Sequence, residues 1–327
     1  MMSDPEITVI IPAYNVAGLI LPCLSSVMAQ SRNDWQAIVV DDGSTDATAA
    51  EIATLDDPRV SLVQQKNAGV SVARNHGLSL ARGRFTMFLD GDDVLNPTAL
   101  ARLAAGLDAH PDAVAAFGTF LKILPSGAPY PGQKPLALHR YPDGDVLAAM
   151  LRGNFLANGG HVLLRTAVAQ RLGGFDTALR LSEDWEFWCR LAAEGTFAFI
   201  GTEPEVFSLR VRPGSASGGL SVDWANHQPS LDAVLGNAAI RARFSAAAWR
   251  RLSLAMRASH MWECGRVNFT MRRFRPARRL MLGAIRLEPS AKRAALLVAA
   301  SLQRHMRLAL VSRLRFRDRD VAADRPA

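Results

Sequence analysis

The sequence predicts an α/β protein, a sheet flanked by helices with a helical C-terminal extension. Three observations carry that prediction. Short apolar runs alternate with segments of helical period through roughly the first two hundred residues. Most of these runs end in carboxylates or in a Pro- or Gly-containing turn. After about residue 220 the strand signals stop, while the charge changes sign.

The elements follow in order. "ITVIIPAYN" reads as a buried strand ending at Pro12, and "LILPCLSSVMAQ" has helical spacing. "WQAIVVDDGSTDAT" is a second apolar strand that ends in Asp41 and Asp42, with Thr45 or Asp46 placed to cap the helix "ATAAEIATL". "VSLVQQ" is a short strand, and "GVSVARNHGLSLARG" a helix closed by Gly83. "FTMFLD" is the next strand, and "NPTALARLAAGLDAHP" a helix opened by Asn96 and Pro97. Strands alternating with helices imply a largely parallel sheet covered on both faces. A Pro- and Gly-rich connection spans 124–145, either a lid or acceptor-site loop or an inert insertion. "LSEDWEFWCRLAAEG" is an amphipathic helix with Ser182 placed as N-cap and Glu183 and Asp184 in its first turn. Trp185 and Trp188 on it are expected to pack in the core.

The chain has 327 residues, 49% hydrophobic and 21% charged, enough for two domains, drawn here at 1–220 and 221–327. The net charge of +8 is uneven: from Arg250 to Ala327 there are 19 Lys and Arg against 5 Asp and Glu, leaving −6 on the first 249 residues. Cys23, Cys189 and Cys264 are scattered, which fits a reducing cytoplasm rather than a disulfide framework or a zinc knuckle. No basic region precedes the first apolar run, so a secretory signal is not expected, and no apolar stretch is long enough to span a bilayer.

In open α/β sheets, ligands bind outside the carboxyl ends of the strands. Here those ends carry Pro12 to Tyr14, Asp41 with Asp42, and Asp90, Asp92 and Asp93, so all three groups should share one sheet edge. Three carboxylates repel one another unless a positive group sits among them. Two aspartates separated by one residue at a rigid strand end can hold Mg²⁺ or Mn²⁺, with further oxygens from a substrate diphosphate.

Five ordered motifs, "IIPAYN", "VVDDGSTD", "NAGVSVARNHGL", "FLDGDD" and "SEDWEFWCRL", make residues 6 to 215 resemble a family 2 glycosyltransferase. That family is inverting and has the GT-A fold, a Rossmann-like mixed sheet. The resemblance implies a nucleoside-diphosphate sugar donor, in particular a UDP-sugar. The acceptor would be a glycan or lipid-linked hydroxyl in bacterial surface polysaccharide synthesis, and the cofactor a divalent cation. It makes Asp92 the principal metal ligand, with Asp90 shared between metal and sugar. Pro12 and Tyr14 would line the base and ribose pocket, and Asp42 would accept from the pyrimidine N3–H. Asn67 and Arg74 fall in the donor-binding segment, where Arg74 either pairs with phosphate or braces the aspartates. Asp184 would be the general base and Glu183 its orienting neighbour. Where the family often has a histidine, this chain has Arg212, which cannot ligate a metal but can hold a diphosphate, as can Arg210.

Two rival readings make different demands on the sequence. A nucleotidyltransferase would carry a Gly-rich, Lys-containing phosphate loop near the first strand, where this chain has "PAYNVAG". A non-catalytic sugar-nucleotide-binding membrane scaffold would lack the acidic pair or the base, and both are intact. The tail, with "RRFRPARR" and "AKRAALLVAASLQRHMRLALVSRLRFR", reads as basic amphipathic helices. They suit either an anionic membrane on the inner face of the plasma membrane or a cap with a solvated basic side. Nucleic acid is the less favoured partner, since no recognition motif is present.

Overall fold

The computed structural model describes residues 4–133, 141–212 and 219–302. Part of the predicted lid and the tail beyond 302 lie outside them. The chain divides into two compact units. The first comprises 1–150, 154–179 and 183–211; the second takes 151–153, 180–182 and 212–327.

The first unit is built on a seven-stranded mixed sheet in the order β3-β2-β1-β4-β8-β6-β9. Its strands are β1 (Ile7–Ala13), β2 (Trp35–Asp41), β3 (Val60–Gln64), β4 (Phe85–Phe88), β6 (Ala113–Phe117), β8 (Val162–Arg165) and β9 (Thr196–Phe199). β1 is buried at all seven positions, as a strand covered on both faces must be. It pairs in parallel with β2 on one side and β4 on the other, and β2 pairs in parallel with β3. β8 runs antiparallel between β4 and β6, which makes the sheet mixed. A second sheet joins β5 (Val94–Leu95), β10 (Phe207–Arg210) and β7 (Phe120–Ile123).

Helices α1 (Ile20–Met28), α2 (Thr48–Ile52), α3 (Val70–Leu80) and α4 (Ala99–Ala109) follow the first four of these parallel or edge strands in sequence. Helices α5 (Leu147–Arg152), α6 (Thr166–Arg171) and α7 (Glu183–Glu194) come later. Neither Thr45 nor Asp46 stands at the cap of α2, which is Ala47; Asp46 Oδ1 accepts from Thr48 N, the first helical residue, at 3.0 Å. Gly83 does not close α3, which ends at Leu80. It is glycine because a Cβ there would lie 2.7 Å from Thr8 N and 2.8 Å from Glu6 O. Gly77 has a similar role on α3, since a Cβ there would lie 2.3 Å from Ile10 Cγ2. The helix thereby lies close on β1, and Arg74, one turn earlier, is carried down to the sheet.

In the second unit the main helices are α8 (Trp224–Gly236), α9 (Ala238–Ala242), α10 (Ala246–Thr270), α11 (Phe274–Leu287) and α12 (Ala291–Leu302). Asp223, Asn237 and Ser245 accept from the first free backbone N–H groups of α8, α9 and α10. α10 and α11 form a tight hairpin. A Cβ on Gly265 would meet Met281 Cγ at 2.7 Å, and one on Gly283 would meet Met261 Cε at 2.3 Å. Among the described residues no helix is long and apolar enough to cross a membrane.

Candidate active site

Because β2, β1 and β4 are parallel neighbours, their C-terminal ends lie side by side. Ala13 is in register with Asp41, Asp42 N donates to Ala13 O at 2.8 Å, and Leu89 N donates to Ile10 O at 2.9 Å. Pro12 is a buried residue of β1, and Tyr14, just past its end, is 49% exposed. Gly91 sits against this same end: a Cβ there would be 3.3 Å from Pro12 O. The middle residue of Asp90-Gly91-Asp92 is therefore glycine because the turn is pressed onto β1.

Asp42 is buried, and its carboxylate is engaged by the segment that leads into α3. Oδ1 accepts from Ala68 N at 2.9 Å and Gln65 Nε2 at 2.8 Å, and Oδ2 from Gly69 N at 2.8 Å. A negative charge at a helix N-terminus is favourable on both counts, as acceptor and against the helix dipole. Asn67 stands exposed in that segment, with its backbone against Gly43: a Cβ at Gly43, where φ is +73°, would meet Asn67 N at 2.9 Å.

Arg74 is the junction of the site. It is 5% exposed, and its Nη2 donates to Asp90 Oδ1 at 2.9 Å while Nη1 donates to Glu183 Oε1 at 3.1 Å. One guanidinium thus joins the aspartates after β4 to the first residue of α7. The neighbouring carboxylates outweigh the loss of water and push its pKa above the ordinary arginine value. Its underside faces Phe175, whose ring packs on Phe88 and Phe187. Asn75 holds that wall with two 2.8 Å bonds to the Phe175 backbone.

Asp184 follows Glu183 and is half-buried. Its Oδ1 accepts from Trp185 N at 2.7 Å and its Oδ2 from Asn154 Nδ2 at 3.2 Å. Burial, then the adjacent Glu183 charge, raise its pKa to about 7, with Arg74 opposing them. Ser182 has φ 60°, outside the extended conformation of a usual N-cap, and Asp184 meets the first turn's Trp185 N instead. Trp185 and Trp188 are both core residues, and Trp185 Nε1 donates to Met150 O at 2.8 Å.

Sequence reasoning missed Asn154 and Asn158. Asn158 Nδ2 donates to Asp90 Oδ2 at 3.1 Å and to Asp93 Oδ2 at 2.7 Å. The signal lay in "NGGH": a Cβ on Gly159 would meet Phe88 O at 2.4 Å, and one on Gly160 the Phe207 ring at 2.9 Å. Asp93 is buried, accepts also from Arg210 N at 2.8 Å, and so ties β10 to the turn. Arg210 Nε donates to Asp92 O at 2.9 Å and its Nη1 to Pro125 O at 2.6 Å. Arg212 is the first residue of the second unit's main segment, two residues past β10.

Asp90 and Asp92 are half-buried oxygen donors. Among the described residues no group of three or more His, Cys, Asp or Glu side chains could hold a metal by itself. The residues present still fit a magnesium-type ion, which takes one or two carboxylates and completes its shell from water and substrate phosphate. Burial first, then the neighbouring Asp90 and Asp92, hold the Asp93 carboxyl well above its ordinary pKa.

The sequence profile of "Glycosyl transferase family 2" matches residues 8–171, half of the chain, and the protein belongs to that family. Succinoglycan biosynthesis protein ExoO of Rhizobium meliloti is 31% identical over 236 residues, covering 67% of this chain. The match takes in 64% of that relative's own length. The fold matches Staphylococcus aureus TarS 1-349 in complex with UDP-GlcNAc at a TM-score of 0.64 and 17% identity, over 91% of this chain and 88% of that one. It also matches the mannosyltransferase PcManGT of Pyrobaculum calidifontis, in complex with GDP-Man and Mn²⁺, at 0.59 and 21% identity, over 93% and 81%. The fold is therefore that of the GT-A glycosyltransferases, a mixed sheet flanked by helices with helices following it.

Proposed function

We propose that the protein is an inverting glycosyltransferase. It moves a sugar from a nucleoside-diphosphate sugar to a hydroxyl of a glycan or lipid-linked acceptor in bacterial surface polysaccharide synthesis. The observation that carries this reading is the Arg74 bridge, which brings the Asp90 turn and the Glu183-Asp184 turn to one guanidinium.

In this reading the exposed Tyr14 ring, Pro12, Asp42 and Asn67 form the nucleoside side of the donor site. Asp90 and Arg74 serve the ribose, sugar and diphosphate. Asp92, with Asp90, holds a divalent cation, which supplies charge neutralisation to the departing diphosphate. Asp184 takes the acceptor hydroxyl proton while that oxygen bonds to the anomeric carbon. The bond from that carbon to the diphosphate oxygen breaks on the opposite face. A carboxylate with a pKa of about 7 suits this work, because it accepts the proton yet is largely ionised just above neutrality. Glu183, held by Arg74, fixes the first turn of α7 from which Asp184 projects.

The role of ExoO in succinoglycan biosynthesis supports a polysaccharide product, and the UDP-GlcNAc and GDP-Man complexes of the structural neighbours support a nucleotide-sugar donor. A UDP-hexose is the first donor to try. The test is thermal stabilisation by UDP-, GDP- and dTDP-sugars with and without Mn²⁺. One donor class should raise the melting temperature, and more so with the metal. If none does so, with or without Mn²⁺, the reading fails.

A further inference from the structure

The second unit carries a feature that glycosyl transfer does not use. Residues 271 to 287, "MRRFRPARRLMLGAIRL", hold six arginines and no acid. Arg272, Arg273, Arg275, Arg278, Arg279 and Arg286 are all exposed. None has an acidic partner within ion-pair distance among the described residues. The flanking acids are engaged elsewhere: Glu263 with Arg266 at 2.5 Å, and Glu288 with Arg152 at 3.2 Å and Arg293 at 2.9 Å.

The arginines are ordered by the helix. On α11, Ala277, Leu280, Met281 and Ala284 are buried, and this side packs on α10. Arg275, Arg278, Arg279 and Arg286 recur at spacings of three, four and seven on the opposite side. At the head of this stripe the α10–α11 turn presents two apolar side chains to solvent, Met271 at 51% and Phe274 at 45% exposed. The Phe274 ring is steadied edge-on by Phe269, with 5.5 Å between centroids. Arg272, at φ 60°, makes the reversal that turns them outward.

We infer that the α10–α11 turn and the arginine face of α11 form a docking surface for an anionic lipid bilayer. Charge complementarity with anionic headgroups supplies the attraction. The two exposed apolar side chains, set among the arginines, choose lipid over other polyanions. They can enter the boundary between headgroups and acyl chains, where arginine stems and guanidinium heads spread along the interface. A nucleic-acid site would instead need aromatic rings spaced for stacking or side chains reaching base edges. This inference does not depend on which sugar is transferred, nor on transfer itself.

The test is co-sedimentation of the full chain with vesicles of phosphatidylcholine, with and without phosphatidylglycerol, at low and high salt. A parallel titration uses fluorescent single- and double-stranded DNA. The intact protein should sediment with the anionic vesicles, weakly or not at all with the neutral ones, and less at high salt. Arg275→Glu/Arg278→Glu/Arg279→Glu should weaken partitioning at least about tenfold. The same three changed to Lys should retain it. Phe274→Ser should weaken it with the salt dependence kept. Thermal melting of each variant checks folding, and exposed positions leave the melt near that of the parent. Failure to bind anionic vesicles would overturn the inference. So would equal binding by the triple Glu variant, or binding of DNA in preference to lipid that the triple Glu change abolishes.

Discussion

Arg74 concentrates the energetics of the site in one side chain. A guanidinium 5% exposed has lost its water, and only its carboxylate partners make that position tolerable. Truncating one member of such a buried pair leaves an unpaired charge. Arg74→Ala should therefore cost about 3–5 kcal/mol in denaturant unfolding, far more than a surface arginine. Arg74→Lys should fall between, because one ammonium cannot serve Asp90 and Glu183 in the same forked geometry.

Asp184 is the second residue whose surroundings set its chemistry. With a pKa of about 7 as a base, it should make the rate rise as pH climbs through neutrality and then level off. Asp184→Asn should keep donor-induced thermal stabilisation yet lower the rate by about 10²–10⁴ and flatten that profile. The same residue acts on stability with a defined sign. Its carboxyl is held above the ordinary 3.8, so the folded state binds the proton more tightly than the unfolded chain. Its contribution is full below about pH 4 and lost as pH rises through about 7. Unfolding of Asp184→Asn, compared with the parent across that window, should lack this component.

At the scale of elements, glycines govern the site through close approach. Gly77 lets α3 lie on β1, and Arg74 is buried because of it. Gly77→Ala should cost about 1–3 kcal/mol by overpacking against Ile10 and also depress transfer per folded molecule. Gly106 on α4 provides the control. A Cβ there would meet Ile200 Cγ2 at 2.5 Å, away from the carboxylates, so Gly106→Ala should lower stability with the rate per folded molecule unchanged. The elements divide in how legible they were. β1 to β4 and α1 to α4 were readable because each is a continuous apolar run or a helical-period segment. β6, β8 and β9 were not, because "AVAAF" and "VLLR" are short Ala- and Leu-rich runs whose pattern does not separate strand from buried helix, and "TFAF" follows the end of α7 after a single glycine. The antiparallel entry of β8 between β4 and β6 follows from tertiary pairing that no local pattern encodes.

At the scale of the whole molecule, the charge split places a net −6 on the first 249 residues and +14 on the rest. The acidic part holds the carboxylates of the candidate site, and the basic part the arginine face of α11. What the sequence determined by itself was the strand ends: Pro12, Asp42 and Asp90 had to fall on one edge, because parallel neighbouring strands finish on the same side of their sheet. It also determined the arginine stripe, since helical period alone puts Arg275, Arg278, Arg279 and Arg286 on one face. Only the tertiary structure decided that Arg74 joins Asp90 to Glu183, 109 positions apart in the chain from Arg74 to Glu183, and that Asn158 holds Asp90 with Asp93. The physical reason is that a buried charge takes whichever opposite charge packing brings to it. That partner is chosen by the close approach of α3 to the sheet, a matter of missing methyl groups rather than of any motif.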